Sequence, residues 1–560
     1  MSVPGASDRK AWGLARRLQP LTVPRRAMAM ETQPLTQATN QAGPPAVRDW
    51  APSERCLCWP ERVSRRQLSW LLVASSTLMV IAFLGTPVHS GLNGLVQMVE
   101  TAGAIERVAL WQRAILGWLG MTDSSEFFTL PKFVVAYAAR IAFLGMFLAQ
   151  GWAFWLAWKG APGPFWKWMI GPVCAHLVMV LMPPSNADVF FYEITGDLAH
   201  RGINPYVYQM SEFPTHPLLP YNHWVDLTAV YGPVWTGFNR TLMWITGPDP
   251  VVATLVYKGI LGVSALLVAV LVYWFVLKLT STRRLAQAAG VLVAWQPNFI
   301  LESTGLAHND PIIILLSTCG IALAILGGTR AIRGGIVLVT VSALVKYTSM
   351  PLLGILGLAR LADRKQPGSP IGVVRSWVLD ALAIAAVTIA AFGAYWAGVQ
   401  TLQEMITEPG RLFSSPIYLY PKVGLEHIGP DWIAHRFESI ASVVIQLLAI
   451  GIVLATMLWF GKTTWALARM PQPAHALPIW TRPLLAGWAV IMTTLALLPV
   501  NSHPWYWTWP VAPIAVLVCY DAGPSRDHGR REPALPRWFW SYLIVTGIMT
   551  IAYHTRIVHP

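Results

Sequence analysis

A polar segment from Asp188 to Tyr206, directly after an apolar stretch, contains the residues best suited to chemistry. The apolar stretch, 165–182, is long enough to cross a bilayer, and Pro183 and Pro184 end it. A carboxylate held at a membrane surface, such as that of Asp188, can act as a general base that accepts the proton of an attacking hydroxyl. The alternative is an ordinary polar loop whose first helical turn carries charge.

The spacing within this segment predicts a helix with two different faces. Tyr192 follows Asp188 by four residues, which places both on one face. Glu193 and Asp197 lie on the neighbouring face, and Arg201 follows four residues later. This second set is typical of a solvated, ion-paired surface rather than of a catalytic site.

Two more polar groups interrupt apolar parts of the sequence, around His308 and at Lys346. His308 precedes a predicted helix N-terminus, where an imidazole can donate a hydrogen bond to a phosphate oxygen. Asp310 stands before Pro311 and is suited to capping that same helix. Lys346 ends an apolar run and is either a point charge for a phosphate or a side chain that snorkels to the interface. Together with a base, these groups suggest transfer from a lipid-linked phosphate donor.

Composition places the chain among membrane proteins. Hydrophobic residues make up 54% of the sequence and charged residues only 12%, about half the share of a typical soluble domain. The net charge of +14 does not indicate a nucleic-acid partner, because eleven of the 41 Lys and Arg residues lie between Arg9 and Arg66, ahead of the first apolar stretch. We therefore expect lipid, and no nucleic acid, as the surroundings of this chain.

The apolar stretches predict an all-α polytopic membrane protein with about thirteen transmembrane helices. These lie near residues 69–86, 133–158, 166–183, 251–279, 285–301, 311–328, 334–347, 348–361, 375–398, 438–461, 484–500, 505–520 and 538–555. If the chain turns at Lys346, 29 of the 41 basic residues fall on one side of the membrane, which the positive-inside rule makes cytoplasmic. The N-terminus is then cytoplasmic, the C-terminus is outside, and the three polar groups share the outer face.

The predicted organisation has three parts. Residues 1–66 form a disordered basic cytoplasmic tail, and no signal peptide is expected. Residues 67–160 form an additional transmembrane pair, and the part from 95 to 119 is predicted to be either an interfacial helix on the outer surface or a packing helix. Residues 161–560 form the catalytic transmembrane domain. The five cysteines suggest no disulfide framework and no metal site.

The order of the motifs between about Pro183 and Pro510 resembles a known family. D-x-x-x-Y-x-x-x-G is followed by G-x-N-P-Y, Y-G-P, H-N-D-P, a lysine in a broken helix and H-P-W-Y. This succession is similar to that of the polyprenyl-phosphate-mannose-dependent mannosyltransferases, the family 87 group of C-type (GT-C) integral-membrane glycosyltransferases. The chain departs from the usual pattern because its aspartate loop follows the third predicted span rather than the first.

The resemblance implies roles for individual residues. Asp188 is implied to be the general base, and His308 and Lys346 are implied to contact the donor phosphate. The residues expected to line the cavity are Tyr192, Asn204, Tyr206, Tyr231, Asn309, Asp310, Arg411, His503, Trp505 and Tyr506. Inversion at the anomeric carbon is implied as well, so that a β-linked mannosyl donor gives an α-linkage.

The implied partners are a polyprenyl-phosphate sugar donor, a glycolipid or glycan acceptor and membrane lipid. We expect no cofactor and no metal, because the sequence contains no D-x-D pair or acidic ligand cluster near Asp188. The excess of 31 arginines over 10 lysines hints at a bacterial protein, located in the plasma membrane with its site on the outer face. The alternatives are a C-type transferase for another polyprenyl-linked sugar, such as arabinose or glucose, and a lipid or glycan transporter.

Overall fold

The computed structural model describes residues 64–84, 132–181, 188–222, 224–362, 370–407, 414–470, 477–523 and 535–556. Within these ranges the chain is mainly helical and contains no strand. The α-helices are α1 (Arg65–Leu84), α2 (Lys132–Trp158), α3 (Trp166–Leu181), α4 (Asp188–His200), α5 (Pro233–Thr246), α6 (Pro250–Thr280), α7 (Arg283–Ala294), α8 (Asp310–Leu326), α9 (Gly328–Val345), α10 (Pro351–Ala359), α11 (Pro370–Phe392), α12 (Gln400–Thr407), α13 (Pro416–Ile428), α14 (Asp431–Leu467), α15 (Thr481–Leu497), α16 (Val511–Asp521) and α17 (Arg537–Arg556).

Several of these helices have the length and apolar character of membrane spans. In the described part of the chain, α2, α6, α11 and α14 are each long and apolar enough to cross a bilayer alone. A fifth span results if α8 is joined to the short helix before it, from which it is bent by 118°. The predicted all-α polytopic membrane fold is therefore confirmed, while the number of thirteen crossings stays a prediction. The predicted tail before residue 64 and the predicted helix at 95–119 lie outside the described residues.

Local sequence determines where α6 begins and ends. The Asp249 carboxylate accepts hydrogen bonds from the backbone N–H groups of Val251 and Val252 at 3.0 and 3.4 Å, which caps the start of α6. Pro250 occupies the first turn, where its missing N–H costs nothing. Ser281 ends the helix in the left-handed conformation, with a φ of 52°.

The predicted span at 285–301 differs from the observed helix. α7 ends at Ala294, and the chain continues as a π-helical segment, Phe299–Gly305. The Gln296 side chain accepts a hydrogen bond from the Phe299 backbone N–H at 2.6 Å and so starts this segment. Widened helices of this kind are common at functional sites, because they change the direction of the chain within a packed bundle. Here the change of direction brings His308 into the interior of the protein.

The predicted break at Lys346 is present in the structure. α9 ends at Val345, a short 3₁₀ turn covers Tyr347–Ser349, and α10 begins at Pro351. The Ser349 hydroxyl donates a hydrogen bond of 2.9 Å to the hydroxyl of Ser342, which holds the two sides of the break together. Whether the chain crosses the membrane on both sides of this break stays a prediction.

Two large hydrophobic cores hold the helices in the described part of the chain. The larger core contains residues of α1, α2, α3, α6, α7, α8, α15 and α16, among others. The second core joins α4 and α5 to the first half of α6 and to the 210–227 loop, and includes Ile313 and Val345. Gly232 lets α5 approach the end of α9, since a Cβ atom there would overlap the carbonyl oxygen of Leu344. The Y-G-P motif therefore places Tyr231 beside the break at Lys346.

Candidate active site

Asp188 is the first residue of α4, and its carboxylate is held by two other side chains. The Trp224 indole N–H donates a hydrogen bond of 2.9 Å to Oδ1, and the Nε2 atom of His308 lies 3.3 Å from Oδ2. Burial alone would raise the pKa of the Asp188 carboxyl, but the hydrogen bonds and the charge of His308, with the hydrogen bond from Trp224, lower it below its ordinary value. Asp188 is therefore ionised at neutral pH and able to accept a proton.

His308 lies between two carboxylates. Its Nδ1 atom is 3.2 Å from Oε2 of Glu302 and 3.2 Å from the Glu302 carbonyl oxygen, while Nε2 faces Asp188. Carboxylates only accept hydrogen bonds, so this position favours the imidazolium form, in which both ring nitrogens donate. Ala307, with a φ of 60°, makes the turn that points His308 inward. In this structure the two ring nitrogens are directed at Asp188 and Glu302, and the role of His308 at a donor phosphate stays a prediction.

The H-P-W-Y motif supplies the facing wall. Trp505 stacks between two imidazoles, with its ring 3.9 Å from that of His308 and 4.2 Å from that of His503. The His503 Nδ1 atom lies 3.1 Å from the hydroxyl of Tyr553, and the Ser414 hydroxyl is within 3.2 Å of the opposite ring nitrogen. The stack therefore joins His308 to the H-P-W-Y motif, which lies about 200 residues later in the chain.

Lys346 is held close to this wall by a buried ion pair. Its Nζ atom lies 3.0 Å from Oδ1 of Asp310, which also accepts a hydrogen bond of 2.6 Å from the Trp509 indole. The ammonium group also lies 4.5 Å from the ring centre of Tyr506 and 5.8 Å from that of Tyr231. Both rings line the pocket described below, so that the charge of Lys346 lies directly behind its surface.

A pocket joins these elements. It is lined by Asp188, Phe191, Trp224, Leu227, Val230, Tyr231, His503, Trp505 and Tyr506. Its volume is about 40 Å³, which is room for a few water molecules. A hexose therefore needs the lining rings to move before it can bind against Asp188.

The structure brings four of the expected lining residues to this pocket and places others behind it. Tyr231, His503, Trp505 and Tyr506 line it, and their contact with a sugar stays a prediction. Tyr192 is fully buried and donates a hydrogen bond of 3.3 Å to the Tyr231 hydroxyl from behind.

Four more of the expected lining residues stand away from the pocket surface or outside the described part of the chain. The Tyr206 hydroxyl donates to the Tyr231 carbonyl oxygen at 2.7 Å, and the Asn204 amide donates to the backbone of Tyr395 at 2.8 Å. Asn309 is fully buried next to Asp310. Arg411 lies outside the described residues. A cavity-lining role for these residues stays a prediction.

Two local predictions differ from the structure. Glu193 is not on a solvated face: it is buried and accepts a hydrogen bond of 2.7 Å from the Thr254 hydroxyl, because α6 covers that side of α4. Asp310 is not the residue that caps α8: the helix begins at Asp310 itself, and its carboxylate binds Lys346 and Trp509 instead. The predicted ion pair between Asp197 and Arg201 is confirmed at 2.7 Å.

Sequence reasoning assigned no individual role to three residues of the site. Trp224 holds Asp188, Glu302 holds His308, and Trp509 holds Asp310. Trp224 and Trp509 are two among 28 tryptophans, so their residue type carried no signal. Glu302 was recognisable as an acidic residue within an apolar stretch, which marks a functional candidate. Among the described residues, no group of three or more His, Cys, Asp or Glu side chains is arranged to hold a metal ion.

The chain is similar in sequence to alpha-mannosyltransferases. Residues 91–362 match the family model for the N-terminal domain of alpha-(1->6)-mannopyranosyltransferases, a range that includes Asp188, His308 and Lys346. The chain is 24% identical over 363 residues to alpha-(1->6)-mannopyranosyltransferase A of Mycobacterium tuberculosis, covering 61% of this chain and 63% of that protein. It is 23% identical over 372 residues to alpha-(1->6)-mannopyranosyltransferase B of Corynebacterium glutamicum, covering 60% of this chain and 56% of that protein. Each match thus spans less than two thirds of the relative. The predicted resemblance to the membrane alpha-mannosyltransferases is confirmed.

Proposed function

We propose that this protein is an inverting mannosyltransferase of the bacterial plasma membrane. It moves a mannosyl group from a polyprenyl-phosphate donor to a hydroxyl of a glycolipid or glycan acceptor on the outer face. The observation that carries the proposal is the buried carboxylate of Asp188, which Trp224 and His308 hold at the wall of the pocket. The names of the two relatives support mannose as the sugar.

The proposed step balances without a cofactor. The acceptor oxygen attacks the anomeric carbon of the donor, and the bond between that carbon and the phosphate oxygen breaks. The acceptor proton goes to Asp188, and the polyprenyl phosphate leaves with the electron pair. Two groups near the pocket stabilise the charge that develops on the leaving phosphate. The His503 imidazole, which lines the pocket, can donate a hydrogen bond, and the ammonium group of Lys346 lies behind Tyr231 and Tyr506.

A transfer assay with defined donors tests this function. The purified protein in nanodiscs is expected to transfer mannose from synthetic polyprenyl-phosphate mannose to a mannosyl glycolipid, and to leave GDP-mannose unused. Proton NMR of the product is expected to show an α-anomer, because in-line attack inverts a β-linked donor. Polyprenyl-phosphate arabinose and polyprenyl-phosphate glucose serve as matched donors. Transfer of one of these sugars in place of mannose, or use of GDP-mannose, would contradict the proposal.

The outer location of the site has its own test. Ser211, in the loop after α4, and Ser281, at the end of α6, are both exposed. A cysteine at either position is therefore accessible to a thiol reagent that reaches its side of the membrane. In intact cells, a membrane-impermeant thiol reagent is expected to label Ser211→Cys and to reach Ser281→Cys only after permeabilisation. The unsubstituted chain measures the background from its native cysteines. The reverse labelling pattern would place the candidate site on the cytoplasmic side.

A further inference from the structure

A second groove lies at the end of α3 that is remote from Asp188. It runs between the N-terminal halves of α1 and α3, has a volume of about 650 Å³, and is lined by Arg65, Trp70, Val73, Trp166, Lys167 and Ile170, among others. α3 contains 16 residues, and at about 1.5 Å per residue its first residue, Trp166, which lines the groove, lies roughly 22 Å from its last, Leu181. The groove and the candidate active site share no lining residue. The groove is therefore a different site from the candidate active site.

The mouth of the groove is positively charged. Arg65, Arg66 and Lys167 line it, and none of its described lining residues is acidic. α1 begins at Arg65 and α3 begins at Trp166, so the positive ends of two helix dipoles add to the charge of the side chains.

The Arg65 side chain lies over the ring of Trp168, with 5.1 Å between the guanidinium carbon and the ring centre. Its Nη1 atom is buried and has no hydrogen-bond partner among the described residues. The stacking on Trp168 fixes the guanidinium group beside the groove, where its charge favours an anionic ligand.

The rest of the groove is apolar and faces outward. Trp70 is 63% exposed, Trp166 is 62% exposed and Ile170 is 48% exposed. From Arg65 to Val73, α1 offers about 12 Å of surface along the groove, estimated from the helical rise per residue. A ligand that fits therefore carries a negative group at one end and a hydrocarbon chain at the other.

We propose that this groove binds an anionic phospholipid. The headgroup phosphate accepts hydrogen bonds from Arg65 and Lys167, and one acyl chain lies along Trp70, Val73 and Ile170. The chain segment ahead of Arg65 is a poorer occupant on grounds of charge, because it carries nine further Lys and Arg residues. Phosphatidylcholine carries a phosphate too, but its quaternary ammonium group cancels that charge and would be repelled by the basic mouth of the groove.

Native mass spectrometry of the full-length protein tests the proposal. Wild-type protein is titrated with phosphatidylglycerol, phosphatidylcholine and glycerol phosphate, and the bound species are counted. We expect one phosphatidylglycerol to bind with higher affinity than any phosphatidylcholine, and we expect no adduct of glycerol phosphate alone. Loss of each basic side chain weakens lipid binding about fivefold, so Arg65→Gln/Lys167→Gln is expected to bind phosphatidylglycerol about 25-fold more weakly.

Arg469→Gln is the matched control. Arg469 also lies over a tryptophan ring, 5.2 Å from that of Trp465, but it is not part of the groove. This variant is expected to retain the high-affinity lipid, and unchanged elution on size exclusion shows that both variants are folded. Equal binding of the two phospholipids to wild type, or retention of phosphatidylglycerol by Arg65→Gln/Lys167→Gln, would overturn the proposal. An adduct with glycerol phosphate alone would identify a free-phosphate site and overturn it as well.

Discussion

Replacement of Asp188 by asparagine is expected to lower the rate of mannosyl transfer by about 100- to 10,000-fold, the usual range for removal of a general base. The amide keeps the size of the carboxylate and can still accept the hydrogen bond from the Trp224 indole. The amide cannot take up the proton of the acceptor hydroxyl. The rate of the chemical step is therefore expected to fall, while donor binding is expected to stay unchanged. Single-turnover transfer with saturating donor, compared with binding of a non-transferable polyprenyl-phosphate mannose analogue, measures the two separately.

A graded variant and a matched control strengthen this test. Trp224→Phe keeps the carboxylate but removes the hydrogen bond to it, and it is expected to reduce transfer about tenfold or more, the value of one hydrogen bond to a charged group. Trp244→Phe removes a tryptophan that is 71% exposed on α5, and it is expected to leave transfer unchanged. Near-normal transfer by a folded Asp188→Asn protein would exclude Asp188 as the base.

The sequence located candidate site residues where ionisable side chains stand next to apolar stretches, because burying a charge near lipid costs free energy. Asp188, Lys346 and the Glu302–Asp310 segment are polar groups next to apolar stretches, and the structure brings all three to one region. The same reasoning could not assign their partners. Both ring nitrogens of His308 face carboxylates that the sequence did not assign to it, because the π-helical segment turns the chain inward, and its contact with a donor phosphate stays a prediction.

Helical periodicity also has a physical limit in this chain. A pattern of apolar residues does not distinguish one long helix from a short α-helix followed by a π-helical segment. The stretch at 285–301 was therefore predicted as a single helix, whereas α7 ends at Ala294. The face that contains Glu193 was predicted as solvated because its spacing to Asp197 and Arg201 matches an exposed helix. Tertiary packing of α6 decides otherwise, and Thr254 supplies the hydrogen bond that burial of Glu193 requires.

The second large effect is expected at Lys346, where a structural role and a role in donor binding must be separated. The partner of Lys346, Asp310, is almost fully buried, so Lys346→Ala leaves an unpaired carboxylate inside the protein. Breaking a buried pair in this way costs about 3–5 kcal/mol, and we expect a lower thermal midpoint in detergent. Lys346→Ala/Asp310→Asn removes both charges and is expected to recover most of that stability.

Donor binding is expected to follow the lysine and not the ion pair. Lys346→Ala/Asp310→Asn is expected to bind the non-transferable donor analogue about 10- to 100-fold more weakly, the value of one charge-assisted hydrogen bond. Lys346→Arg is expected to be tolerated only in part, because a planar fork replaces a compact charge. Asp310→Asn alone is expected to bind the analogue at least as tightly as wild type, since the ammonium group then remains beside the Tyr506 and Trp509 rings without a competing carboxylate. If the folded double variant binds the analogue as tightly as wild type, Lys346 serves only to neutralise Asp310, and the phosphate charge must be met by other groups at the pocket, such as His503.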